Sequence, residues 1–239
     1  RPQDNTRVVS EVQKLVSSEA EPIEVRINAV RALGAMGQDS SRLEVEKTLT
    51  TTLKLRSPEY TMLRYFAVKA LAEMPELGSD SLDALLEAAS STQPDVVRTA
   101  ALETLMDNGV HLGDRAPAVA SIAQQSDNPE VRLAAVRLLA DLDAEQTVGV
   151  ADRLIAETDS AAVLMQVAYA LSRIKTEDSV SLMIDLAARE EATELAMGFL
   201  RDADQRMIER VVERRLQTEQ DEEIRAVLEQ LRGTVAEGS

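Results

Sequence analysis

Cysteine is missing altogether, and with it go disulfides, thiolate metal sites and cysteine nucleophiles. Tryptophan is missing too. Three Tyr and two Phe are the only aromatics, so any core has to be packed from Leu, Val, Ala, Ile and Met. Glycine and proline are scarce, 9 and 7 in 239 residues, against an apolar content of 44%, a balance that speaks against disorder and for helices. No run of about 18 apolar residues occurs, so no segment reads as a membrane span. There is also no Gly-rich phosphate loop, no Ser nucleophile elbow and no metal motif. Accordingly no catalytic residue, no cofactor-binding residue and no metal ligand is assigned, and no cofactor is expected.

Basic residues are in short supply as well. Forty-two acidic side chains face 26 Lys and Arg, giving a formal charge of −16 and a pI near 4.6. Such a surface repels a polyanion, which argues against a general nucleic-acid role because that binding rests on Lys and Arg displacing phosphate counterions. Halophily or simple solubility gives the same balance, so the charge names no partner. The chain starts at Arg1 without an initiator Met, as a processed protein or a piece of a longer one would. A soluble chain in the cytoplasm or the periplasm fits equally.

What is present is repetition. An apolar residue, Arg, two variable positions, Ala, an apolar residue, two variable positions and Leu recur around Arg26, Arg64, Arg98 and Arg132, at intervals of 38, 34 and 34 residues. That is the period of a paired-helix repeat. The apolar spacing predicts a first helix over 6–16, a second from Pro22, then pairs at 43–55 with 58–74, 81–89 with 94–106, and 114–123 with Asn128-Pro129 onward. Ser57 and Asp114 are expected N-caps, and Gly34 and Gly37 are expected to permit the turn after the second helix. Beyond Asp141 the pattern loosens. Asp143 with Gln146 predicts a capping box and a helix to Ala156. Its partner, 161–174, has Leu164 where Arg should be. Helices at 179–188, 192–200, 204–216 and 221–231 follow, the last two forming a charged hairpin able to close a stack.

These residues resemble HEAT repeats, in particular the short bacterial form called PBS-lyase HEAT-like. The likeness rests on Pro22, Val25-Arg26, Ala29-Val30 and Leu33-Gly34; on Leu63-Arg64, Ala67-Val68 and Leu71; on Pro94, Val97-Arg98, Ala101-Leu102 and Leu105; and on Pro129, Val131-Arg132, Ala135-Val136 and Leu139. It implies an all-α fold, a single right-handed α-solenoid or superhelix of about six or seven antiparallel helix pairs over 1–239. Clear repeats would cover about 20–140, degenerate ones 141–200, a capping hairpin 201–232 and a frayed tail 233–239. Val25, Leu63, Val97 and Val131 should then share one buried environment. The resemblance also implies that the four arginines reach turn carbonyls or acidic side chains of the neighbouring repeat, holding the stack in register.

Counting one, five and eight residues past each reference position picks out one face of each second helix. It contains Ile27, Arg31 and Gly34; Tyr65, Lys69 and Ala72; Thr99, Glu103 and Met106; Leu133, Arg137 and Ala140; and Met165, Tyr169 and Ser172. In HEAT proteins the second helices line the concave side. The residues proposed to bind a partner are Ile27, Arg31, Tyr65, Lys69, Glu103, Leu133, Arg137, Met165 and Tyr169. Exposed aromatics and Arg are typical of interface hot spots, and the expected partner is a peptide or protein of some acidic character. Ordinary solvated positions or inter-helix packing would explain the same residues. The function expected is therefore a non-catalytic interaction scaffold or regulatory subunit, acting as a monomer or within a hetero-complex, with no nucleic acid.

Two alternatives come from the same resemblance: a bilin lyase-like enzyme, poorly served by so few aromatics, and a nucleic-acid-binding HEAT protein. His111, the one histidine, reads as a turn residue, and without a second His the dimetal His-Glu arrangement of some HEAT-type hydroxylases cannot be assembled. Glu190-Glu191 and Asp221-Glu222-Glu223 read as solvated helix starts favoured by the dipole. Arg206 with Glu209 and Arg210 with Glu213 read as surface pairs.

Overall fold

The computed structural model describes residues 2–37, 41–90, 92–108 and 112–237; His111 lies outside them. Every regular element among them is helical. The order is α1 (Pro2–Ser17), α2 (Ile23–Met36), α3 (Arg42–Leu53), α4 (Thr61–Ala72), α5 (Ser79–Ala88), α6 (Asp95–Asp107) and α7 (Ala116–Gln125). Then come α8 (Pro129–Leu142), α9 (Ala144–Glu157), α10 (Ala161–Arg173), α11 (Glu177–Ala187), α12 (Thr193–Asp202), α13 (Gln205–Leu216) and α14 (Glu222–Glu237). Short 3-10 turns at Pro58–Tyr60 and Gly113–Arg115 lead into α4 and α7.

The chain gathers into two compact units, Arg1–Ala118 with Gln125–Ala134, and Val119–Gln124 with Ala135–Ser239. In the first, α1 packs on α2, α3 on α4 and α5 on α6. The second helices α2, α4 and α6 lie side by side in one layer, and α1, α3 and α5 form the other. In the second unit α9 packs on α10, α11 on α12 and α13 on α14, again with α10 beside α12 and α11 beside α9 and α13. Helices of 10 to 16 residues are marginal alone in water, so each owes its existence to such neighbours. The class is all-α, with repeated helix pairs stacked in series as in an α-solenoid.

The repeat's last Leu forms the centre of the core. Leu33, Leu71, Leu105, Leu139 and Leu171 are all at most 1% exposed. Each such buried side chain contributes roughly 1.5–3 kcal/mol to the core of its own unit. Leu63, Val97 and Val131 are fully buried, but Val25 is 37% exposed and does not share their environment. The reason is its place: α4 packs against α2 and α6 against α4, whereas α2 is first in its layer and its backward side is open.

Local details correct several expectations. Pro22 and Pro94 sit just before their helices with extended ψ, 146° and 143°, rather than at the first helical position. Ser57 precedes its turn without a side-chain cap. Asp114 lies inside the 3-10 turn and pairs with Arg115, so it does not cap α7. Gly34 is inside α2 and permits close packing, not a turn: a Cβ there would lie 2.9 Å from Ala70 Cβ. Asp143 does cap α9, accepting from Gln146 N at 2.9 Å, but Gln146 Nε2 returns to the same carboxylate at 2.8 Å, so the reciprocal backbone bond of a capping box is not made. Those bonds hold the Asp143 carboxyl below the usual carboxylate range, with burial opposing. A true capping box starts α11, between Thr176 and Ser179. Helix α14 runs on through Gly233 to Glu237, where fraying was expected, and Asp221 caps it through Glu223 N at 2.9 Å.

Candidate interaction surface

The four reference arginines do one job, and it is not quite the expected one. Arg26 Nε donates to Val16 O at 2.9 Å, Arg64 Nη1 to Leu55 O at 2.5 Å and Ser57 O at 3.2 Å, and Arg98 Nε to Ala89 O at 3.4 Å. Arg132 gives both Nε and Nη2 to Ser126 O, at 3.1 and 3.0 Å. The acceptors lie in or just past the last turn of the first helix in the same pair, except Ser57 O, which lies in the link to the second. A planar cation is well suited there, since it meets several orphan carbonyls and the negative end of the helix dipole together. The arginines thus close their own repeats. Among the described residues two reach onward: Arg98 Nη2 to Ser126 Oγ at 2.7 Å, and Arg26, whose guanidinium lies 4.9 Å from the Tyr60 ring centre. Arg64 is 2% exposed; burial, then the neighbouring Arg56 charge, lowers its pKa.

Register between repeats is kept by a different set of side chains, one period apart in sequence. In the first unit Arg42 meets Glu76, Arg56 meets Glu87, Arg115 Nε meets Asp83 at 2.7 Å, Thr50 meets Ser81, and Glu46 Oε1 accepts from Gly78 N at 2.5 Å. In the second, Arg173 meets Asp141, Arg189 meets Asp159, and Arg210 and Arg214 both clasp Glu177 at 2.8 and 2.9 Å. Arg210 therefore goes to α11 rather than to Glu213, and its hydrogen bond with Arg214's holds the Glu177 carboxyl below its usual range. Arg215 ties Ser181, Asp185 and Glu219 together.

Most of the face proposed from the spacing is open, and its positions behave by class. Those five past the reference, Arg31, Lys69, Glu103, Arg137 and Tyr169, are all exposed. Those one past it are half-buried at Ile27, Tyr65 and Leu133, and exposed at Met165. Positions eight past it turn inward: Gly34 is buried and Ala72, Met106, Ala140 and Ser172 are half-buried. On the first unit Arg31 lies 5.6 Å from the Phe66 ring centre, and Tyr65 meets Phe66 edge-on at 5.3 Å. On the second unit Tyr169 of α10 meets Phe199 of α12 edge-on at 5.2 Å while remaining 51% exposed. Phe66 and Phe199 were missed by the spacing. Phe66 stands one position off the chosen face, and α12 has lost the pattern that would have placed Phe199.

Arg31, Lys69 and Arg137 have no carboxylate partner among the described residues, a condition they share with Lys47, Lys54, Arg153, Lys175 and Arg206 elsewhere, whereas the arginines that bridge repeats are matched to one. Among the described residues no helix is long and apolar enough to cross a membrane.

Comparison with known proteins agrees with this architecture. No curated protein matches the chain. Among solved structures, human deoxyhypusine hydroxylase in complex with glycerol aligns over 99% of this chain and 98% of its own, at 14% identity and a TM-score of 0.38, a level that says nothing of activity. A family model described as HEAT repeats matches residues 12–106 and 116–198, most of the sequence, including all four reference arginines and the loosened fifth pair. The chain belongs to the HEAT repeat family.

Proposed function

We propose that the protein is a non-catalytic scaffold or regulatory subunit whose second helices bind a peptide or protein partner of acidic character. The observation that carries this reading is the set of unpaired cations Arg31, Lys69 and Arg137 on the second helices of a chain with a charge of −16. Ten arginines elsewhere are paired with carboxylates among the described residues. Arg31, Lys69 and Arg137 are left in water, Arg31 beside the Phe66 ring. A carboxylate-bearing partner would find guanidinium and ammonium groups that need not be pulled away from another anion first, and rings to pack on. The surrounding acidity then excludes other partners, since like charges brought together cost several kcal/mol, on the order of what specificity requires.

The test uses peptides of matched composition, one carrying Asp and Glu around an aromatic residue and one carrying Asn and Gln instead, followed by fluorescence anisotropy. Binding of the acidic peptide should weaken roughly tenfold between low and physiological salt and disappear in Arg31→Glu/Lys69→Glu. The double variant Tyr65→Ala/Arg137→Glu should lose it too, with the thermal unfolding curve of each variant unchanged. Equal binding of the acidic and amide peptides would refute the reading.

A further inference from the structure

A second recessed site lies within the second unit, on the side where the turns joining successive repeats emerge. The ends of α10 and α12 and the starts of α11 and α13 enclose about 460 Å³, within the range that takes a small organic ligand. Its floor is Leu171, Val180, Met183 and Leu200, each at most 7% exposed, and Phe199 and Met207 stand at its sides. Phe199 is held in place by Tyr169. Methionine adapts its shape to whatever enters, so the interior suits an apolar body without demanding one outline.

The mouth is polar, and its polarity has a sign. Asp202 and Asp204 face it together with Lys175. Asp204 uses one oxygen to cap α13 through Arg206 N at 2.9 Å and keeps the other; Asp202 and Lys175 have no partner among the described residues. The C-termini of α10 and α12 and the N-termini of α11 and α13 meet here, so their partial charges offset one another. Two carboxylates then outweigh one ammonium. We infer that this pocket binds an amphipathic organic cation, an apolar body of aryl-alkyl size carrying one ammonium group, with the body over Met183 and Phe199 and the ammonium between Asp202 and Asp204.

This site shares Phe199 with the aromatic backing of the peptide surface, but its ligand has the opposite charge. The probes are 4-phenylbutylamine and its carboxylate counterpart 4-phenylbutyrate, titrated into the full chain labelled at methionine methyl groups. The amine should shift the Met183 and Met207 methyl signals saturably, and the carboxylate should bind at least about tenfold more weakly. Asp202→Asn/Asp204→Asn should weaken the amine by a similar factor while leaving the methyl spectrum of the free protein folded, because Asn still caps α13. Lys175→Ala should tighten it. The inference is overturned if millimolar amine leaves Met183 and Met207 unmoved, if amine and carboxylate bind alike, or if the double Asn variant binds the amine unchanged.

Discussion

The two units meet the same structural need with different residues. Where the first helix of a pair ends, its last carbonyls have lost their intrahelical partners and need a donor. In the first unit the second helix of the same pair supplies it, four times over, from Arg26, Arg64, Arg98 and Arg132. In the second unit the equivalent position in α10 is Leu164, which is fully buried and donates nothing. The carbonyls at the end of α9 turn instead to Arg189, which sits beyond α11: Ile155 O at 3.4 Å and Thr158 O at 3.1 Å. Later still, Arg225 of α14 restores the local form from an exposed position, reaching Glu219 O at 3.4 Å. Filling the layer and closing the turn are thus separable tasks. One buried arginine does both in the first unit; a leucine and an arginine one repeat further on divide them in the second.

That division can be tested by exchanging the two solutions. The largest effect belongs to Leu164→Ala, which removes a fully buried side chain and should cost about 2–5 kcal/mol in urea unfolding. Next is Arg64→Leu, which copies the second unit's choice into the first. No arginine takes over Leu55 O and Ser57 O as Arg189 does for α9, so the variant should lose about 2–3 kcal/mol even though Leu fits an apolar layer. Arg189→Ala should cost less, about 1–2 kcal/mol, and should speed hydrogen exchange in α9 and α10 before the rest of the second unit. If Arg64→Leu were neutral, the carbonyl-closing role would have to be abandoned.

The sequence shows the arginines but not their acceptors, and the reason is general. A period of 34 residues reveals that a guanidinium recurs at one place in each layer; it does not show which of two turns at similar distance lies within its reach. For the same reason Leu164 reads as degeneration, since the compensating Arg189 is 25 residues away and outside the helical pattern. The buried leucines of each unit, Leu33, Leu71 and Leu105 in the first and Leu139 and Leu171 in the second, were legible because apolar periodicity reports burial directly. Val25 misled because its burial depends on a neighbour, not on its own helix. The exposed face was legible at Arg31, Lys69 and Arg137, which follow from helical geometry alone. Phe66 and Phe199, which form its aromatic backing, depend on how two helices cross.

Glycine sharpens the comparison at smaller scale. Gly34 of α2 and Gly198 of α12 both lie within second helices, but a Cβ at Gly34 would meet Ala70 Cβ at 2.9 Å and Ala70 Cα at 3.0 Å, while at Gly198 nothing lies within 4 Å. Gly34→Ala should destabilise by about 1–3 kcal/mol because the obstacle is a helix backbone that cannot step aside alone. Gly198→Ala should stabilise by about 0.5–1 kcal/mol through the lower backbone entropy of the unfolded chain. Opposite signs in thermal unfolding are the expected result. A loss at both positions would mean that α10 and α12 pack as tightly as α2 and α4.

The smallest expected effect concerns acid. The most deeply buried charge of the first unit is Arg64, which does not titrate in any accessible range, whereas the second unit half-buries a carboxylate, Asp185. Burial raises the pKa of Asp185 above 3.8, its ion pair with Arg215 at 2.7 Å pulls it back, and Glu219 and Asp152 push it up again. Asp143 shifts the other way, held down by its bonds from Gln146. The signs follow from which state holds its proton more tightly. Folded Asp185 takes up a proton before the unfolded chain does, so acidification through its raised pKa favours the native state. Folded Asp143 takes it up later, so its contribution, present above the ordinary carboxylate value, is lost as pH falls through the depressed one. In urea midpoints compared between neutral pH and about pH 4, wild type should gain on Asp185→Asn as the solution is acidified. It should lose ground to Asp143→Asn below that. Parallel profiles for the three proteins would show that Arg215 fully offsets the burial of Asp185 and that the Asp143 cap adds nothing to acid stability.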